Sequence, residues 1–173
     1  MRKLREEGRP YGVLDGRDPE RLAHILSESR ANPSGWTIID GGGNRPAFDE
    51  AVSAVADLCI FPFRASDEDL DVVGNDIRRI PKGIAWPTVW PTKPYALLAA
   101  NLMLHRFTKA FPLRVIDQPI SFVNASTQLL GESLGSPPTI VRNMARKIFE
   151  VMAEEFENRV RKSAESGAAV NVA

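Results

Sequence analysis

Apolar positions along this chain switch repeatedly between helical and strand-like spacing. Leu22, Ile25 and Leu26 recur at helical spacing behind Asp18-Pro19-Glu20, a side-chain acceptor, a first-turn proline and a first-turn acid. This predicts a helix to about Arg30, closed by the turn Asn32-Pro33-Ser34-Gly35. The run Trp36-Thr37-Ile38-Ile39 leads into Asp40, then Gly41-Gly42-Gly43 and a polar break at Asn44. A short apolar run bounded by turn residues reads as a strand covered on both faces, the kind found in parallel sheets. Pro46 to Val55 follows as a helix with Phe48, Ala51, Val52 and Val55 on its inner side. Ala56 to Phe63 is a second buried-strand run. Ser66 then caps a helix that is rich in acids at its start and ends at Arg78-Arg79, as the helix dipole favours.

The second half repeats the alternation. Lys82 to Trp86 is a weaker strand, and three prolines between Pro87 and Pro94 predict an extended loop. Tyr95 to about Ala110 is an apolar-periodic helix carrying Leu97, Leu98, Leu102 and Leu104. Phe111-Pro112 breaks it before a last strand at Leu113 to Ile116. A short helix is expected from Ser126 to Leu134, closed by Gly135, and a final one from Thr139 to about Lys162. Tyr11 to Asp15 reads as a further short strand. Alternating strands and helices predict an α/β fold with a mostly parallel sheet. The expected organisation is a flexible start at 1–10, one α/β domain at 11–162 and a disordered tail at 163–173.

Composition narrows the function classes. At 173 residues the chain is long enough for a real core, and 43% hydrophobic with 25% charged residues is globular in type. Lys and Arg balance Asp and Glu, 22 against 22, so no whole-molecule field gathers nucleic acid or an anionic membrane. Cys59 is the single cysteine, which excludes a disulfide framework and fits a cytoplasmic setting. No apolar run approaches a membrane span, and the charged start at Met1 to Gly8 is not a signal peptide.

Asp40 is the leading functional candidate, because ligands in open α/β sheets bind beyond the carboxyl ends of strands. The glycines after it let backbone N–H groups approach an anion, so Gly41 and Gly42 join it. The alternative is that Asp40 simply closes its turn. Ser66 with Asp67, Glu68 and Asp69 is a helix start, and Trp86 and Trp90 are expected to pack under the proline-rich loop. His24 and His105 stand alone without metal-ligand spacing. In the last helix Arg142, Arg146, Lys147, Arg159, Arg161 and Lys162 are interleaved with Glu150, Glu154, Glu155 and Glu157, the pattern of a solvated, salt-bridged face.

Three segments together carry a family resemblance: Ile38-Ile39-Asp40-Gly41-Gly42-Gly43, then Ala56-Asp57-Leu58-Cys59-Ile60-Phe61-Pro62-Phe63-Arg64-Ala65-Ser66, then Asp69-Leu70. In that order they resemble the ParA/MinD group of deviant-Walker P-loop ATPases, the plasmid and chromosome partition proteins. Ile120-Ser121-Phe122, Gln128 to Ser136 and Asn143 to Phe156 resemble the family's ending, so the likeness spans about residues 11–160. It implies a P-loop NTPase-like three-layer α/β/α fold with a mostly parallel sheet. It also implies ATP and Mg²⁺ as cofactors, with Asp40 the carboxylate that holds the metal through water. Thr88, with Pro91 and Thr92, stands where the family offers a loop to the adenine ring, although the family's Asn is replaced in this chain. Partners implied are a homodimer, an adaptor protein and non-specifically bound DNA, the last through basic residues on late helices.

One departure is large. The family's K-G-G-x-G-K-[ST] phosphate loop is not among these 173 residues, and it supplies the phosphate cradle, the lysine and the Mg²⁺ hydroxyl. The chain reads as the later two-thirds of such an ATPase: a truncated product, a divergent paralogue or one piece of a split protein. Two expectations result. One is a partition ATPase relative that works in DNA segregation through nucleotide-dependent dimerisation. The other is a non-catalytic interaction or regulatory protein that keeps the scaffold without hydrolysing ATP. A sheet without its first strand also predicts association through the exposed edge.

Overall fold

The computed structural model describes residues 18–31, 36–41, 46–121 and 138–170. Among them stand five helices and a small parallel sheet of two strands, so the fold is mixed α/β. The chain forms two compact units, Met1–Arg45 and Pro46–Ala173. The expected features at 1–10, Tyr11–Asp15, Gly42-Gly43, Ser126–Gly135 and the last three residues lie outside the described residues.

In the first unit, helix α1 (Pro19–Ala31) begins as predicted. The Asp18 carboxylate accepts from the backbone N–H of Glu20 at 2.9 Å and of Arg21 at 3.5 Å, which satisfies N–H groups that have no partner inside the helix. Residues 36–41 do not form the expected buried strand. Their backbone is irregular, with Ile38 76% and Trp36 47% exposed. A strand buried on both faces needs neighbours in a sheet, and apolar content alone does not provide them.

The second unit holds the core. Helix α2 (Pro46–Val55) leads to β1 (Cys59–Phe63), then α3 (Asp67–Arg79), β2 (Gly83–Pro87) and α4 (Pro94–Ala110); α5 (Thr139–Val170) follows later. The strands pair in parallel, Cys59 opposite Gly83 and Phe63 opposite Pro87. Helix α3 is the crossover that a parallel pair requires. Cys59 donates to Lys82 O and Phe63 O accepts from Thr88, so odd-numbered positions of β1 face β2. Pro62, which has no N–H, therefore faces away, as suits the edge strand that β1 is among the described residues.

On the other side of β2 the ladder goes on without becoming a strand. Ala85 donates to Arg114 O and accepts from Ile116, and after a bend Ile120 donates to Pro87 O and Trp90 to Ile120 O. The predicted strand at Leu113–Ile116 is thus an isolated bridge, Ala85 to Val115, with a second bridge from Trp90 to Ser121. The bend at Asp117-Gln118 and the missing N–H of Pro119 interrupt the regular ladder.

All five positions of β2 are buried, which requires cover on both faces. Ala85 joins Phe63, with Val73 and Ile77 of α3 and Ala100 and Phe107 of α4. Ile84 and Trp86 join Ile116 and Val151, with Ile148 and Met152 of α5 packed alongside. Because alternate strand residues point to opposite faces, α3 and α4 cover one side of β2 and α5 the other. On the first side Phe63 meets Trp90 edge-on, centroids 6.1 Å apart, and Phe107 at 5.3 Å. Such ring pairs add about 0.5–1.5 kcal/mol each beyond simple burial. Helix α4 divides its leucines: Leu97 and Leu104 pack against this core, while Leu98 and Leu102 are exposed. Helix α5 runs past its predicted end near Lys162 and continues helical to Val170.

Gly83 is fixed by close packing. A Cβ at this position would collide with the Phe61 ring and stand 3.0 Å from Ile80 O.

Candidate functional site

The end of the sheet where β1 and β2 finish is the region to test for chemistry, because helix N-termini and loops converge there. After β1, the Ser66 hydroxyl accepts from the Asp69 N–H at 3.2 Å and caps α3. The Asp69 carboxylate reaches back to the Arg64 N–H at 2.8 Å and the Arg64 Nε at 3.2 Å. This resembles a capping box displaced by two residues. The Arg64 backbone N–H is the largest cause that holds Asp69 below the ordinary aspartate value of 3.8. Partial burial opposes it, and the Arg64 guanidinium and Ser66 hydroxyl add to it. With Asp67, Glu68 and Asp69 in its first turn, the N-terminus of α3 already holds its own anions and repels a phosphate.

After β2, the chain turns sharply. Thr88 is half-buried; its N–H donates to Phe63 O at 2.7 Å and its hydroxyl to the same oxygen at 3.3 Å. Val89 takes φ 52, a conformation that costs a β-branched residue on the order of 1–2 kcal/mol. The bonds of Thr88 and Trp90 on either side hold it there. Trp90 is buried, with its Nε1 donating to Asn101 Oδ1 at 3.2 Å. Trp86 is buried too and donates from Nε1 to Gln118 O at 2.9 Å. Both tryptophans are core residues, as the sequence predicts.

A cavity of ≈ 150 Å³ opens beside Trp86, lined by Gln118 and Ser121 and by Met144, Lys147 and Ile148 of α5. Ligand pockets commonly measure roughly 300–1,000 Å³, and a water occupies about 30 Å³. The cavity has room for about five waters and is too small for a nucleotide.

The candidates named from sequence fall in different units. Asp40 is exposed and Gly41 half-buried, both on the irregular segment of the first unit; Thr88 belongs to the second. Gly42 lies outside the described residues. The described residues contain no group of three or more His, Cys, Asp or Glu able to hold a metal. Asp40 fits Mg²⁺ only in the way a lone carboxylate can, with waters and substrate phosphates completing the shell. His24 stands 3.5 Å from Glu28 one turn on, and His105 is exposed. No helix among the described residues is long and apolar enough to cross a membrane.

Sequence reasoning missed the residues that close the opposite end. The Arg114 guanidinium donates to Gly83 O at 2.7 Å, Ile80 O at 2.8 Å and Ile77 O at 2.9 Å. The Lys82 ammonium donates to Ala56 O at 2.8 Å and Ala54 O at 3.1 Å. Both cations cap carbonyls at helix C-termini. No local pattern marks Arg114, whose acceptors lie more than 30 residues away in sequence.

Comparisons of the chain with protein-family models, with curated proteins and with solved structures give no match.

Proposed function

We propose that the chain is a relative of the ParA/MinD partition ATPases and acts in plasmid or chromosome segregation through nucleotide-dependent dimerisation. The observation that carries this reading is the parallel pairing of Cys59–Phe63 with Gly83–Pro87 across a helical crossover. The first of these strands and the start of the crossover are segments on which the resemblance rests. Packing of α3 and α4 on one side of β2 and α5 on the other supports the three-layer form of that fold. In this reading the protein works in the cytoplasm, as a homodimer with an adaptor and non-specific DNA as partners. Asp40 holds Mg²⁺ through water, and Gly41, Gly42 and Thr88 line the nucleotide. Bound Mg²⁺ would neutralise phosphate charge, with Asp40 as the residue that would hold it. The phosphate cradle itself must come from residues other than these 173.

A second reading, a non-catalytic protein that binds partners on the same scaffold, is favoured by Thr88. Its N–H and hydroxyl both serve Phe63 O, which leaves its hydroxyl proton engaged in joining the strands. Calorimetry with ATP·Mg²⁺ on the 173-residue chain, with Asp40→Ala as control, separates the two. Binding at roughly micromolar strength that Asp40→Ala abolishes upholds the nucleotide reading. No heat at roughly millimolar nucleotide leaves the scaffold reading for this chain.

A further inference from the structure

Neither reading above uses the cavity beside Trp86, and Asp40, Gly41 and Thr88 do not line it. Two parts of the second unit build its walls. Met144, Lys147, Ile148 and Val151 stand at i, i+3, i+4 and i+7 of α5 and so share one face of that helix. Trp86 and the segment Gln118–Ser121 complete the lining. That segment is pinned by three bonds of 2.9 Å: Trp86 Nε1 donates to Gln118 O, the Ile120 N–H to Pro87 O and the Trp90 N–H to Ile120 O. The space is therefore preformed, and a ligand need not order the loop to enter it. Its lining changes from floor to mouth. Trp86 and Val151 are buried and Ile120, Met144 and Ile148 half-buried, whereas Gln118 and Lys147 are exposed. The Trp86 indole N–H is already engaged. Among the described residues the Gln118 side-chain amide, the Ser121 hydroxyl and the Lys147 ammonium have no partner in the chain. Lys147 is conspicuous because Ile148 and Val151 on the same helix face pack into the core around Trp86. A lysine in such a place keeps its stem on apolar surface and its charge in water. The neighbouring carboxylates in sequence, Asp117 and Glu150, are exposed and do not line the cavity.

We infer that this cavity is a binding site for a small apolar monocarboxylate. Its hydrocarbon part lies against Trp86, Ile120 and Ile148, and its carboxylate stays at the mouth with Lys147, Ser121 and Gln118. Size sets the hydrocarbon part. At ≈ 150 Å³ the space equals that of an apolar cavity known to accept one benzene ring, so about six carbons fit. Chemistry sets the head group. An ammonium, a hydroxyl and an amide supply donors, and no acidic side chain lines the space, which suits a carboxylate with two acceptor oxygens. An amine would be repelled by Lys147. Inorganic phosphate would use the donors but leave the apolar walls wet, and so gain nothing from them. Binding is modest because Lys147 and Gln118 are open to water, which weakens an ion pair. A Kd of roughly 0.1–1 mM follows for a ligand of this size. No nucleotide takes part, so the failure of this site and that of the nucleotide reading are told apart.

Proton–nitrogen correlation NMR on the full chain tests the inference, with sodium benzoate titrated to about 20 mM at constant ionic strength and without nucleotide. Saturable shifts should appear at the Trp86 Nε1–H and at the amides of Ser121, Lys147 and Ile148. Benzyl alcohol, which has the same ring without the charge, should bind about three- to tenfold more weakly. Lys147→Met keeps an unbranched apolar stem and removes the ammonium. It should weaken benzoate by about the same factor and leave benzyl alcohol within about twofold of wild type. The position is exposed, so the variant keeps the fold, which unchanged shifts away from the cavity verify. Inorganic phosphate at the same concentration should leave the Trp86 Nε1–H signal in place. Three results overturn the inference. One is the absence of saturable benzoate shifts at these residues. Another is benzoate affinity that is the same in wild type and Lys147→Met. The third is a response to phosphate equal to that to benzoate, which would mean that Lys147 merely gathers anions.

Discussion

Where its strands begin, the sheet is closed by two cations; where they end, by neutral donors and one local cap. At the first end Arg114 and Lys82 reach carbonyls 26 to 37 residues away and tie α2, α3 and β2 into one unit. At the other end the Ser66–Asp69 and Arg64–Asp69 bonds span only three and five residues. Thr88 adds two bonds and Trp86 one over longer distances. The difference lies in charge and in how many carbonyls one group serves: Arg114 serves three and Lys82 two. A charge that satisfies carbonyls from several elements supports the whole unit, because its loss removes donors from several of them at once, even though Ile80 O keeps the Gly83 N–H at 2.9 Å. A cap within one loop supports the helix it starts.

Arg114→Met would break the first end and should have the largest effect on stability. It keeps the apolar stem and removes three charge-assisted bonds, so the expected loss is roughly 2–4 kcal/mol. Urea unfolding of the wild type and variant measures it. Arg114→Lys should recover only part, because an ammonium cannot reproduce the guanidinium fork. A loss below about 1 kcal/mol would show that the two ends are equivalent and that the comparison has no energetic content.

How much of this could be read in advance differs from residue to residue. Elements with a chemical signal at their ends were legible: Asp18-Pro19 starts α1, Ser66 starts α3 and Arg78-Arg79 ends it. The alternation that predicts an α/β chain was legible as well. Trp36–Asp40 was misleading because its run of apolar residues resembles that of β2, yet β2 is buried at every position and 36–41 is irregular. Whether such a run becomes a central strand is decided by pairing partners distant in sequence, which no local window contains. The leucines of α4 show the same limit: all four fit a helix, and only packing separates Leu97 and Leu104 from Leu98 and Leu102. At the candidate site, the strand-end position and the glycine run selected Asp40, Gly41 and Gly42, and the resemblance added Thr88. It gave no sign that the Thr88 hydroxyl is engaged with Phe63, since that bond joins positions 25 residues apart.

Ser66→Ala probes the second end with an intermediate effect. It leaves the Asp69 N–H without its side-chain acceptor, and cap deletions of this type cost about 1 kcal/mol. The loss should be local. Amide exchange should quicken in the first turn of α3, while protection in β2, buried on both faces, follows only the global change. Equal relative acceleration in both places would mean that this cap, like Arg114, supports the whole unit, and the contrast between the ends would disappear.

The smallest effect is expected from Asp69→Asn, and it sharpens the comparison through pH. Asparagine keeps an oxygen able to accept from the Arg64 N–H and removes only the charge. In the folded chain the Asp69 carboxyl titrates below 3.8, so folding favours its ionised form. The resulting stability is present in full above that ordinary value and is lost as pH falls through the lower folded-state value. Wild type should therefore lose urea resistance between about pH 5 and about pH 2 more steeply than Asp69→Asn, and the two curves should converge at the acid end. Arg114→Met keeps Asp69 and should lie below wild type by an amount independent of pH in this window, because a guanidinium stays charged throughout. Parallel curves for wild type and Asp69→Asn would remove Asp69 from the cap's energetics and leave Ser66 as its working part.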